Sequence, residues 1–371
     1  MEATEKQLTK TIATPRCFTP IIKCVGFACD MRCEYCFFRD QDRTKKLMSQ
    51  TVLESLVQQT LANNPYSADF VWHGGEPLLA GIDFYRKALE FQSKYRKPRQ
   101  VVRNLIQTNG NLINQDWAMF FAENGFGVGL SLDGPREFHN RYRHYQDGSG
   151  NYDRVMQAID MLKEYDLTPG VVCVITDLSV GYPEKMFRFF LDNAIPIVNF
   201  NRADSVNQCG VPLPYVPSPV EFGQFLLKTF DLWVEEDNLE VKIGPIESII
   251  HCLVSGECSD CLFSGECDHF IIVDAEGHVY ACFSDGYGES WRLGNIANLD
   301  FNSAEFQSLS NKTREIREGC QTCKWFKVCK GGCLCDYELN FPLLGEKNIV
   351  CQPLQMLYEY ISQKLRNFHL I

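Results

Sequence analysis

Apolar residues in the first 200 positions fall into two alternating kinds of run. Short runs, rich in β-branched and aromatic residues, occur at 21–27, 68–74, 101–109, 125–134, 169–176 and 195–201. Between them, 48–63, 82–95, 114–124, 152–165 and 183–193 repeat apolar residues at helical spacing. The helix at 48–63 opens on Ser49, a residue type whose hydroxyl caps free backbone N–H groups. Six strands separated by helices predict repeated βα units and an α/β fold, with a parallel sheet curved into a barrel or part of one. In such folds the chemistry gathers at the C-terminal ends of the strands. Cys29 follows the first predicted strand, Gly74-Gly75-Glu76-Pro77 the second, Asn109-Gly110 the third and Ser131-Leu132-Asp133-Gly134 the fourth.

The pattern then changes. Residues 203–219 carry four prolines and no periodicity, which reads as a linker, and a helix follows at 219–236. From 252 to 351 the chain is cysteine-rich and loop-dominated, and a helical tail closes it. The organisation expected is a barrel domain over 1–202, a linker and helical bridge over 203–254, and a cysteine-rich domain with a C-terminal helix over 255–371.

Composition narrows the function. The chain is 45% hydrophobic and 22% charged, ordinary for a globular core, and no run reaches the roughly 18 apolar residues of a membrane helix. The N-terminal segment lacks the apolar stretch of a secretory signal, so a cytoplasmic protein is expected. Thirty-six Lys and Arg against 47 Asp and Glu give a net charge of −11, which argues against a nucleic-acid partner. Eighteen cysteines in a chain of this length, without an export signal, point to metal ligation rather than a disulfide scaffold.

Cys29, Cys33 and Cys36 form C-x3-C-x2-C with Tyr35 before the last cysteine. Three thiolates on one tight loop can hold three irons of a [4Fe–4S] cluster and leave the fourth open for a ligand, as a catalytic rather than structural site requires. A zinc site lacking a fourth ligand, or plain buried thiols, are the other readings of the same residues. Further along, Cys261-x5-Cys267-x14-Cys282 and Cys320-x2-Cys323-x5-Cys329-x3-Cys333-x17-Cys351 supply eight more cysteines, enough for two four-thiolate sites. Thiolates suit zinc and iron–sulfur clusters alike. The stretch 269–282 reads as a hairpin turning at Glu276-Gly277.

The cysteine motif, the Gly-Gly-Glu-Pro turn and the βα pattern together resemble the radical S-adenosylmethionine (SAM) superfamily. The resemblance implies a partial (β/α)6 barrel of the TIM type. In that superfamily the open iron chelates SAM, an electron from the cluster cleaves it, and the 5′-deoxyadenosyl radical abstracts a substrate hydrogen. By resemblance, Gly74, Gly75 and Glu76 meet the SAM amino group, Tyr35 backs the adenine, and Ser131 and Arg143 fix the ribose and carboxylate. The C-terminal spacings resemble the SPASM extension, which carries two auxiliary [4Fe–4S] clusters, making three clusters in all. Nearly the whole chain is similar to anaerobic sulfatase-maturating enzymes. That likeness assigns Cys261, Cys267, Cys282 and Cys333 to one auxiliary cluster and Cys320, Cys323, Cys329 and Cys351 to the other.

Two positions depart from that family. Its base, an aspartate directly after the third cysteine of the first auxiliary cluster, is Phe283 here, and a tyrosine two residues after the third SAM-cluster cysteine is Phe38. Asp285 is the tentative replacement base. The expected activity is oxidative modification of a peptide or protein side chain, with a flavodoxin- or ferredoxin-type electron donor. Loss of the aspartate ranks a cross-link in a ribosomally made peptide slightly above formylglycine formation; a small-molecule radical SAM dehydrogenase is the remaining alternative.

Overall fold

The computed structural model describes residues 16–36, 38–39, 41–203, 213–258, 261, 267, 269–281, 291–334 and 351–369. Strands β1 (Thr19–Ile22), β2 (Ser67–Trp72), β3 (Val101–Thr108), β4 (Phe126–Ser131), β5 (Gly170–Ile175) and β6 (Ile197–Arg202) pair in sequence order, every pair parallel. Helices α1 (Gln50–Asn63), α2 (Ile82–Tyr95), α3 (Gln115–Asn124), α4 (Arg136–Tyr142), α5 (Tyr152–Glu164) and α6 (Pro183–Asp192) make the crossovers. Every strand and helix expected from the pattern is present. Of the barrel helices only the short α4 went unanticipated, because seven residues hold two turns and little periodicity; beyond the barrel, Ile246–Ser255 and Ala304–Glu318 are helices where the sequence reads as bridge and loop. The Ser49 hydroxyl accepts the Val52 N–H at 3.3 Å, so α1 starts where the capping signal puts it.

The stretch after β6 contributes more than a tether. Leu213, Tyr215 and Val216 pack with Tyr142 and Ala203, and the Tyr215 hydroxyl donates to the Glu34 carbonyl at 2.9 Å. Helix α7 (Pro219–Glu236) follows, opened by a Ser218–Glu221 capping box. Strand β7 (Lys242–Gly244) then pairs parallel to β6, so the sheet continues into the expected bridge. Helix α8 (Ile246–Ser255) leads to the cysteine-rich part.

That part joins the same sheet at its other edge. β8 (Phe270–Val273) runs parallel to β1, and β9 (His278–Ala281) and β10 (Arg292–Asn295) add on antiparallel, giving the order β10-β9-β8-β1-β2-β3-β4-β5-β6-β7. The hairpin turns where the sequence places it, with Gly277 at φ +84°. Helix α9 (Ala304–Glu318), a short helical turn at Phe326–Cys329 and helix α10 (Cys351–Asn367) complete the chain. The Tyr360 hydroxyl of α10 donates to Asp231 of α7 at 2.8 Å, docking the C-terminal helix on the barrel side.

Alternation along the strands separates two faces. Phe70 and Trp72 of β2 pack into the large core beneath the helices, with Trp72 edge-on to Tyr85 at 5.3 Å. Ile21 and Val71 instead meet Ile272 and Tyr280 on the concave face. On that face Leu105, within β3, is 41% exposed and Ile197, at the start of β6, 38%. A Cβ at Gly129 would stand 2.1 Å from the Gln107 amide oxygen, so glycine keeps this lumen lined by Gln107. Among the described residues no helix is long and apolar enough to cross a membrane.

Candidate active site at the C-terminal ends of the barrel strands

The loop after β1 carries Cys29, Cys33 and Cys36, and backbone bonds shape it. The Arg32 and Glu34 N–H groups donate to the carbonyls of His144 and Tyr142 at 2.8 and 2.9 Å, and Cys36 N–H closes a turn on the Cys33 carbonyl at 3.2 Å. The Arg43 guanidinium donates to the Met31 carbonyl at 2.6 Å. The thiols lie close together: Cys33 adds to the upward push that burial exerts on Cys29, and Cys36 adds to that on Cys33. Burial pushes Cys33 up to about 11, opposed chiefly by the positive charge of Arg143. Three converging sulfurs on one loop suit a cluster with three protein ligands.

The turn after β2 folds onto that loop. The Glu76 N–H donates to the Ala28 carbonyl at 2.7 Å. Gly75 has φ +59°, and a Cβ there would lie 2.3 Å from the same carbonyl, so this position accepts glycine alone without rearrangement. Glu76, 1% exposed, accepts from the Leu78 N–H at 3.0 Å, the Thr108 hydroxyl at 2.7 Å and the Asn109 N–H at 2.9 Å. Burial nevertheless pushes its carboxyl up to about 7, with the charge of Asp30 acting in the same direction. A buried carboxyl poised this way, beside a glycine turn that lets a ligand close in, suits an ammonium group.

Arg143, Tyr35 and Asp133 form one cluster. The Asp133 carboxylate accepts from Arg143 Nε at 2.8 Å and from the Tyr35 hydroxyl, while the Val174 N–H donates to its other oxygen at 2.9 Å. The guanidinium lies 5.2 Å from the Tyr35 ring centroid. Ser131 sits apart, accepting from the Gln107 amide at 3.1 Å on the lumen face. A second network spans the strand ends. Asp30 accepts from Asn109 and Asn111 at 2.7 and 2.9 Å; Asn111 accepts from Asn151 at 2.9 Å; and the Asn151 side-chain oxygen is 2.8 Å from His139 Nε2. The Asp133 N–H donates to His139 Nδ1 at 3.1 Å, which fixes the ring proton on Nε2; burial holds this imidazole down at about 4. Asn109 also donates to Cys29 Sγ at 3.7 Å.

Asp133, Asp30, Asn111 and His139 were not assigned roles from sequence. The Asn109-Gly110 and Ser131–Gly134 motifs were the available signals, since both sit at strand ends.

In the C-terminal part, burial and then the neighbouring Cys351 and Cys323 push the Cys320 thiol up, and burial, with Cys351 and Cys320 nearby, pushes Cys329 up. Gln355 donates to Cys351 Sγ at 3.2 Å from the first turn of α10. Cys261, Cys267 and Cys333 are half-buried. Cys282, Phe283 and Asp285 lie outside the described residues. Cys252 and Cys258, without a sequence assignment, lie side by side with Cα atoms 4.8 Å apart.

A parallel partial barrel with three cysteines after its first strand and a Gly-Gly-Glu turn after its second defines a radical SAM enzyme. Residues 24–192 match the Radical SAM superfamily. The cysteine-type anaerobic sulfatase-maturating enzyme of Clostridium perfringens (strain 13) is 32% identical over 94% of this chain and 97% of its own. The serine-type enzyme of Bacteroides thetaiotaomicron is 30% identical over 84% and 81%. The solved structure of native anSMEcpe with bound AdoMet and Cp18Cys peptide superposes with a TM-score of 0.84 at 31% identity, covering 95% of this chain and 99% of that one. The chain therefore belongs to the anaerobic sulfatase-maturating enzyme family of the radical SAM superfamily. The cofactors of that class are a [4Fe–4S] cluster and SAM, which the thiols and the glycine–carboxylate turn fit.

With Glu76 as the partner of the SAM amino group, as the resemblance implies, SAM affinity is expected to depend on pH. Only its ionised form pairs with an ammonium, so binding draws its pKa down and releases a proton. From about pH 7 up to the range near 7.7–8.0 where an α-amino group loses its own proton, both partners are charged and affinity is flat. Below it, the Kd for SAM rises about tenfold per pH unit. Equilibrium binding to cluster-loaded protein between roughly pH 5.5 and 8 checks this, and an unchanged Kd across that range contradicts it.

Proposed function

We propose that the protein oxidises a cysteine or serine side chain of a peptide or protein substrate to formylglycine, as a sulfatase maturase. The observation that carries this reading is likeness along nearly the whole chain to both cysteine- and serine-type maturases, including one solved with a peptide bound. The cross-link ranked first on sequence rests on Phe283 alone, and these relatives favour the alternative.

Cys29, Cys33 and Cys36 hold the SAM-cleaving cluster, whose reduced form supplies the electron that breaks SAM. Gly74 and Gly75 admit the SAM amino group and Glu76 pairs with it; Arg143, oriented by Asp133 and Tyr35, offers its outer nitrogens to the carboxylate, and Ser131 its hydroxyl to the ribose. Tyr35 backs the adenine. Cys261, Cys267, Cys282 and Cys333, and Cys320, Cys323, Cys329 and Cys351, are the ligand sets proposed for two auxiliary clusters. These accept the electron left on the substrate. A flavodoxin- or ferredoxin-type protein delivers electrons to the first cluster. The barrel is assigned to 1–202, the bridge to 203–254 and the auxiliary-cluster domain to 255–371.

Peptide dependence tests this reading. Release of 5′-deoxyadenosine by the reduced, cluster-loaded enzyme rises when a sulfatase-type peptide bearing the target cysteine is added. It does not rise with the same peptide carrying alanine. Equal stimulation by both peptides contradicts the proposal.

A further inference from the structure

Removing a hydrogen atom from the target carbon is half of the proposed oxidation; a proton must also leave the thiol or hydroxyl. The aspartate that serves the family is Phe283 here. Most ionisable groups at the strand ends are already committed. Glu76 takes three donors, Asp133 holds Arg143 and Tyr35, Asp30 holds two asparagines, and both nitrogens of His139 are engaged.

His73 differs. It is the residue directly before Gly74, and its own N–H donates to the Ile22 carbonyl at 3.1 Å. Among the described residues its ring makes no hydrogen bond, and it is half-buried rather than sealed. Strand alternation sets its direction. Trp72 points to the helices, whereas Val71 packs with Ile21, Ile272 and Tyr280 on the concave face, so His73 follows Val71 into the lumen. Lys23, two residues after Ile21, lies on the same face and is 1% exposed. Its stem crosses Gly74, where an added Cβ would meet Lys23 Cγ at 2.7 Å, and its Nζ stands 3.7 Å from the Phe38 ring centroid. His73, Lys23 and Phe38 thus converge beside the turn that receives SAM.

We infer that His73 is the proton acceptor of the oxidation, with Lys23 as the cation beside it. The assignment rests on the sulfatase-maturase reading. Burial, and then the charge of Lys23, hold the imidazole down at about 4. It is therefore neutral at pH 7, with a lone pair to offer, and its basicity matches that of an ordinary aspartate at about 3.9. For a target cysteine, a Cβ hydrogen atom leaves to the carbon radical derived from SAM and the Sγ proton passes to His73. One electron leaves to an iron–sulfur cluster held by the C-terminal cysteines, and a carbon–sulfur double bond forms. Water then replaces the sulfur as hydrogen sulfide, leaving the aldehyde.

The experiment compares reduced holoenzyme with its H73Q, H73D and D285N variants, on a sulfatase-type cysteine peptide in the presence of SAM. Aldehyde and 5′-deoxyadenosine are both quantified. In H73Q the aldehyde yield falls about 100-fold relative to deoxyadenosine formed, and H73D recovers part of the loss because a carboxylate can also accept the proton. Wild-type aldehyde yield in H73Q overturns the assignment, as does loss of aldehyde in D285N with none in H73Q. A second measurement needs no turnover: the His73 ring resonances, identified by their absence in H73Q, report a neutral imidazole from about pH 6 to 8. A ring that stays protonated up to pH 8 has no lone pair to offer and overturns the assignment with any substrate. Wild-type enzyme that cleaves SAM yet makes no aldehyde contradicts the maturase reading instead, and the histidine resonances then decide on His73 alone.

Discussion

Replacing Cys29, Cys33 and Cys36 together by alanine removes about four of roughly twelve irons per chain and abolishes 5′-deoxyadenosine formation. The expectation follows from where these sulfurs sit. They share one loop, that loop is fixed by backbone bonds to His144 and Tyr142, and Glu76 and Arg143 are held against it by contacts that do not pass through the thiols. The barrel therefore survives the substitution while its SAM-cleaving cluster is lost. On the proposed ligand sets, the remaining eight irons stay with the C-terminal cysteines. Iron analysis and deoxyadenosine release on anaerobically reconstituted protein check both halves. A variant that keeps all its iron, or still cleaves SAM, contradicts the assignment of the first cluster. A variant that loses every iron contradicts the independence of the C-terminal sites.

Glu76→Gln carries the second large effect. The glutamine preserves shape and can still accept from the Leu78 and Thr108 donors, but it brings no charge to meet the SAM ammonium. Removing one partner of a buried, hydrogen-bonded charge pair costs about 2 kcal/mol or more, so the Kd for SAM rises roughly 30-fold at neutral to alkaline pH. The same variant flattens the pH dependence, because the group that titrates near pH 7 is gone. Measured by equilibrium binding to protein with its iron intact, the two signatures belong together. A weakened Kd that keeps the wild-type pH profile means that another group titrates.

Much of this was legible in the sequence, for physical reasons. A parallel strand buried under helices reads as a dense apolar run, and a crossover helix as a 3.6-residue repeat, so β1 to β6 and their long helices declare themselves. Cysteine spacing is equally direct, because metal ligation from one loop demands short intervals. Ser49 announced its helix through its capping hydroxyl. What stayed hidden depends on pairings between distant segments. Nothing local in residues 270–273 says that this strand will lie alongside β1 and splice the cysteine-rich part onto the barrel sheet. Tyr215 looks like part of a proline-rich linker, yet its hydroxyl caps the cluster loop from 181 residues away.

The site shows the same division. Glu76 follows two glycines at a strand end and stands out as a candidate ligand. Asp133, which anchors both Arg143 and Tyr35, reads as an ordinary turn residue in Ser-Leu-Asp-Gly. Lys23 and His73 sit in apolar runs, where lysine and histidine look like breaks in a pattern. Only the two faces of the folded sheet reveal that both turn into the lumen.

Formylglycine formation is read directly from the mass of the peptide product. Reduced, reconstituted enzyme is incubated with SAM and sulfatase-type peptides bearing the target cysteine or serine, and the peptide masses are read, with and without an aldehyde-trapping hydrazine. The account predicts formylglycine in at least one of the two peptides, captured by the hydrazine and absent when SAM is omitted. Peptides that emerge unchanged while SAM is cleaved, or that lose two hydrogens without gaining an aldehyde, contradict it.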